Sequence, residues 1–209
     1  MLYHEILNFN TYLTFPFLAI LYYSAILSSE YTKGTINFLV TSVYSRESIF
    51  FAKFIISTTS FSLIFIPANI FLLLYLYLIH GSGVIYSNSG INGTFYYWYE
   101  FIGIITVTQV FLIIHFIAIG AITLLINCAI QNRIKVILCS FSVIILFKIV
   151  KVPSFLENYT FFNGNTVTTG FIDFQRSFFT NLQITFSTLA FILLFCLVGN
   201  LVFKTKKIV

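Results

Sequence analysis

The residues able to do chemistry are few and widely spaced. The six acids, Glu5, Glu30, Glu47, Glu100, Glu157 and Asp173, are scattered, and none sits in the middle of an apolar run. His4-Glu5 is followed by Ile6-Leu7-Asn8, so no HExxH pair of zinc-binding histidines forms there. Cys128, Cys139 and Cys196 all fall inside hydrophobic runs without CxxC or Cys/His spacing, which makes them small apolar packing residues. No Gly-rich phosphate loop of the GxxxxGK[ST] type occurs, so any nucleotide chemistry has to come from another chain. The expectation is no enzyme, no metal and no cofactor.

Polar side chains inside apolar runs carry the remaining signal, because such groups are costly in lipid. Gln109, His115 and Asn127 share one run. Gln109 and His115 are six residues apart and so not on one helix face; Asn127 lies twelve beyond His115, about 120° round. They form no aligned relay. Two readings stand for them: hydrogen bonding between helices, or lining of a transport path. Asn69 follows Pro67 by two residues and is suited to repairing the kink that the proline makes. Gly120, with Ala118 and Ala121, marks a close approach of another helix, in this chain or a second subunit.

These residues must be positioned by membrane helices. Of all residues 59% are hydrophobic and 8% charged, against roughly 25% charged in soluble domains. A chain so apolar has no means of covering a water-facing surface. Five runs approach the ~20 apolar residues that a transmembrane helix needs: 12–29, 49–79, 101–130, 136–150 and 178–203. Of eleven Lys and Arg residues, eight (Lys33, Arg46, Lys53, Arg133, Lys135, Lys204, Lys206, Lys207) fall on one side of this arrangement, which marks it as cytoplasmic together with the C-terminus. The basic residues are not pooled into a nucleic-acid patch. The N-terminus is then expected outside. The outer segment 80–99 ends in Tyr96-Tyr97-Trp98-Tyr99, an interfacial aromatic belt, and the apolar segment 153–177 is expected to form short helices in the outer leaflet.

Between the first two runs lies the most ordered polar pattern. Glu30 is followed by Gly34-Thr35, then Ile36, Leu39 and Val40 at helical spacing, then Ser45-Arg46-Glu47 and Lys53. Gly34 permits a turn. Residues 35–41 read as a short amphipathic helix at the membrane edge. Ser45 can cap the next helix, and Glu47 in its first turn suits the positive dipole end. Arg46 and Lys53 can pair with Glu30 or reach lipid phosphates. On the residues alone, a cytoplasmic loop whose charges only set topology is the simpler reading.

The order of residues closely resembles the cytoplasmic signature of ABC-2 type transporter permeases. That signature runs Glu-x-x-x-Gly-Thr-x-x-x-Leu, then Ser-Arg, then a Lys in the next helix; here Glu30, Gly34, Thr35, Leu39, Ser45, Arg46 and Lys53 stand at those places. The proline that often precedes Ser-Arg is replaced by Val43-Tyr44. The family's first span has no counterpart, which suggests a chain lacking the beginning of the natural protein or a five-span variant. The resemblance implies an all-α integral membrane protein: one permease domain over residues 1–209, about five transmembrane helices, a cytoplasmic coupling segment at 30–53, and outer re-entrant helices at 153–177. It implies a subunit of an ATP-driven exporter in the plasma membrane. Its partners would be a separate ABC ATPase, a second permease subunit (homo- or heterodimer) and membrane lipids. Glu30, Gly34, Thr35, Ile36, Leu39, Arg46 and Lys53 would couple to the ATPase. The competing reading is a non-transporting structural or assembly subunit, which would not require the seam motif.

Overall fold

A computed structural model describes residues 14–33, 45–80, 85–87, 94–96, 98–149, 159 and 178–205. Its framework is five helices: α1 (Phe15–Lys33), α2 (Arg46–His80), α3 (Trp98–Ala129), α4 (Arg133–Ile149) and α5 (Phe178–Thr205). Between α2 and α3 lie two three-residue strands, β1 (Ile85–Ser87) and β2 (Thr94–Tyr96), paired antiparallel with Tyr86 opposite Phe95. Among the described residues three helices are long and apolar enough to cross a membrane, over Arg46–Phe71, Gln109–Ala129 and Phe179–Thr205. α4 is short for a span at 17 residues. α1 has 19, but its last turns carry Ser28, Ser29, Glu30, Thr32 and Lys33. The expected coupling helix, with Gly34, Thr35, Ile36 and Leu39, and most of the outer segment 153–177 lie outside the described residues.

Helices form here because lipid offers the backbone no hydrogen bonds, so each segment must satisfy its own. The same demand disposes of the hydroxyls. Ser57 Oγ donates to the carbonyl of Lys53 (2.7 Å), Thr123 Oγ1 to Ile119 (2.8 Å) and Thr188 Oγ1 to Ile184 (2.7 Å). Ser28 Oγ donates to the Ser24 carbonyl. Each polar side chain is thereby closed on its own helix. Helix starts are capped from the side chain. Ser45 Oγ accepts the Ser48 amide (3.2 Å), and Asn132 Oδ1 accepts those of Ile134 (3.0 Å) and Lys135 (3.3 Å). Pro67 sits within α2 and removes the bond to the carbonyl of residue 63. Asn69 Nδ2 does bond its own helix, but at the Phe65 carbonyl (2.8 Å) rather than at the one the proline frees.

The chain divides into two compact units. One comprises Pro16–Phe61, Phe116–Lys151 and Leu189–Val209. Its core holds Ile20, Tyr23, Leu27, Phe50, Phe116, Ile119, Leu124 and Phe203, all nearly or wholly inaccessible. Here α1 packs on three neighbours. Tyr22 and Tyr23 meet Phe61 of α2, Tyr23 lies over Gly120 of α3, and Phe17 meets Phe141 of α4 edge-on at 5.8 Å. α5 reaches α2 through Phe203 and Phe50 (6.2 Å between rings), and Gly199 faces both Phe50 and the backbone of Leu125 in α3. The other unit comprises Met1–Phe15, Ser62–His115 and Val152–Thr188. In it Phe15 packs edge-on against Phe65 at 4.9 Å, and Leu112, His115, Asn181 and Ile184 are buried.

Candidate functional site

Of the seven residues that the resemblance assigns to coupling, the described ones are Glu30, Arg46 and Lys53, and each is held by a named contact. Glu30, near the end of α1, accepts an ion pair from Lys53, two turns into α2. The side chains are only 15% and 27% exposed, so the pair is shielded from solvent. Lys53 reaches Glu30, as one of the two partners foreseen for it. The pair brackets the seam: the helix that enters it and the helix that leaves it are joined by a charge-assisted bond.

Arg46 and Glu47, in the first turn of α2, meet the last turn of α5. Arg46 Nη1 donates to the carbonyl oxygen of Lys204 at 3.2 Å. Lys204 Nζ pairs with Glu47 Oε1 at 2.8 Å. The sequence reading assigned Lys204 to topology alone and missed this contact. A basic residue in a last helical turn is the signal that could have raised it, but nothing in the sequence names its acidic partner.

The polar residues of α3 separate. Asn127 is fully buried and donates from Nδ2 to the carbonyl of Ser24 (2.9 Å) and, more weakly, that of Tyr23 (3.5 Å) in α1. Its Oδ1 has no hydrogen-bond partner. The hydrogen-bonding reading therefore describes Asn127. His115 is buried at 4% exposure. The Gln109 amide is enclosed, with neither Nε2 nor Oε1 hydrogen-bonded. Asn181 of α5, which the sequence reading passed over, is likewise buried with both amide atoms unpartnered. The close approach at Gly120 is made within the chain, by the Tyr23 ring. That ring is fixed: Tyr23 Oη and Thr58 Oγ1 are hydrogen-bonded at 3.2 Å.

Asn127 yields a discriminating substitution. Asn127→Leu gives up a hydrogen bond worth about 0.6 kcal/mol on average in membrane interiors, and removes an unsatisfied oxygen. It is expected to leave the thermal midpoint of the detergent-solubilised chain nearly unchanged. Asn127→Asp sets a carboxyl against two carbonyl oxygens away from water, where it can stay only in its protonated form, so the variant should fold best at low pH and lose monodisperse protein as pH rises toward neutral. An aspartate variant that melts like the parent at neutral pH would mean the residue faces water.

Among the described residues no group of three or more His, Cys, Asp or Glu side chains comes together to hold a metal ion. What the geometry defines is a helical chain, three of whose described helices are fit to cross a membrane, with ion pairs joining α1 to α2 and α2 to α5. No protein-family model, curated protein or solved structure matches the chain.

Proposed function

We propose that this chain is the membrane-spanning permease subunit of an ATP-binding cassette exporter, driven by ATP hydrolysed in a separate ATPase subunit. The order Glu30, Gly34, Thr35, Leu39, Ser45, Arg46, Lys53 motivates the reading. The observation that carries it is the Glu30–Lys53 pair. An ATPase pushing on residues 34–44 would act on two helix ends already bound to one another, so displacement passes into α1 and α2 together. The same reading takes all five helices as spans in the plasma membrane, with residues 30–53, 131–135 and the C-terminal lysines cytoplasmic, and two permease subunits enclosing the path. The eight-to-three split of basic residues supports that orientation. Glu30, Gly34, Thr35, Ile36, Leu39, Arg46 and Lys53 are the coupling residues; Gln109 and His115 remain the candidates for the path.

The test is purification of the tagged chain from its native membrane. A P-loop ATPase, identified by mass spectrometry and giving vanadate-sensitive ATP turnover, is the expected companion. Leu39→Asp would put a charge into an apolar groove, and Gly34→Val would forbid the turn; both should lose the companion while still inserting. If both variants keep it at the parent level, the seam is a plain loop and the structural-subunit reading takes over. Orientation is checked separately: a cysteine at position 92 should label from outside and one at position 206 from inside.

A further inference from the structure

Four observations converge on the base of α5. Arg46 donates to the Lys204 carbonyl. Lys204 pairs with Glu47. Phe203 packs against Phe50. Gly199, one turn above Phe203, lets the Phe50 ring approach so closely that a Cβ there would lie 3.0 Å from its Cζ. All belong to the last two turns of α5 and the first two turns of α2. The chemistry is complementary at both ends. The last carbonyls of a helix lack intrahelical partners, and the Arg46 guanidinium supplies one. Glu47 sits at the positive end of α2 and Lys204 at the negative end of α5, so each charge suits its own helix as well as the other charge. An exposed ion pair alone is a weak tie, and this one is 49% and 59% exposed. Joined to a backbone cap and an aromatic pair set against a glycine, it becomes a fixed joint.

We infer that Arg46 and Lys204 are positioning residues that yoke α5 to the first turn of α2, so that movement delivered to the seam carries α1, α2 and α5 as one body. The inference rests on the permease reading for what drives the movement, but the yoke itself is local and can be measured without the ATPase. It gives Arg46 a partner in the chain's own last helix, and it makes that helix part of the transmission.

The measurement uses the full chain in lipid nanodiscs, its three cysteines changed to serine, with spin labels at Ala52→Cys and Leu201→Cys, both exposed positions on the facing helices. The parent is expected to show one narrow distance distribution. Lys204→Glu, which sets like charges together, should add a second, longer population. Adding Glu47→Lys should return most of it to the short distance. Arg46→Lys should stay narrow and Arg46→Met broaden. Lys204→Met is the milder variant if reversal prevents folding, and should broaden the distribution too. A broad parent, or a Lys204→Glu variant indistinguishable from it, overturns the yoke. In the ATPase complex, Lys204→Glu should leave the companion bound while ATP turnover falls about threefold, the scale of one ion pair; unchanged turnover also counts against the inference. A parent that captures no ATPase overturns the permease reading instead, and the label distances then decide the yoke alone.

Discussion

Gly120→Ala is expected to destabilise the chain, although alanine is the better helix former by about 1 kcal/mol. A Cβ at this position would overlap three ring carbons of Tyr23. The ring has no exit. It is fully buried, tilted against Phe61 at 6.0 Å, and tied through its hydroxyl to Thr58. Phe61 is in turn held edge-on by Phe116 at 6.3 Å. Forcing a methyl into a packed interior costs about 1–3 kcal/mol, which outweighs the gain in propensity. Gly120→Leu adds three more carbons and should leave little folded protein. The decisive comparison is Gly120→Ala with and without Tyr23→Ala. Removing the ring costs about 3–5 kcal/mol by itself, yet it empties the volume that the new methyl needs. The double variant should therefore lie at least about 1 kcal/mol above the sum of the singles. Thermal midpoints of the solubilised chain, read by the monodisperse fraction after heating, measure this. A Gly120→Ala variant that melts at or above the parent temperature would remove Tyr23 from the contact.

The same pair shows which part of the fold was readable in advance. The helices were: α1 to α5 begin and end within a few residues of the apolar runs, because a chain in lipid has no alternative to closing its backbone on itself. That Gly120 marks a close approach was also readable, since small residues recur where helices touch. What it touches was not. In water the buried face of a helix announces itself by being apolar. In lipid both faces are apolar, so the sequence carries no stripe pointing inward. Thus Ile55, Ile56, Leu63 and Ile64 of α2 are well exposed while Phe61 and Phe65 are buried, and no pattern of polarity distinguishes them.

Charged residues behaved differently. Glu30 has two candidate partners in the sequence, Arg46 and Lys53, because few charges are present and all three stand near helix ends. Which of the two it meets is given by the structure, where Lys53 pairs with it. Lys204 escaped because a lysine after a span has a sufficient explanation in topology, and its partner lies 157 residues away. Asn127 was found as a polar residue, but its acceptors are backbone carbonyls of α1, which no side-chain pattern encodes. The candidate site is therefore legible where opposite charges flank the same seam, and illegible where the partner is backbone or a charge far along the chain.

Breaking the Glu30–Lys53 pair should have the largest effect on function. The two residues close a loop of chain around the seam, 23 positions apart. Lys53 is 27% exposed and Glu30 15%, so neither charge is fully hydrated when left alone. Losing one member of a fully buried pair costs about 3–5 kcal/mol, and an exposed pair contributes about 1 kcal/mol or less. The shielding here places Glu30→Ala and Lys53→Met between those limits, at about 1–3 kcal/mol each. Removing both charges together should cost less than the sum, because no unpaired ion remains. Stability and coupling then part company. Glu30→Met combined with Lys53→Met should recover much of the thermal midpoint, yet, in the proposed complex with an ATPase, not the ATP turnover, since an apolar contact at this edge does not fix the direction in which α1 and α2 meet. The exchange Glu30→Lys with Lys53→Glu restores the bond and should recover both. If the double-methionine variant supports ATP turnover by the proposed ATPase partner like the parent, the pair serves only to hold the helices together. If the single variants melt and turn over like the parent, the two charges are not joined in the working protein.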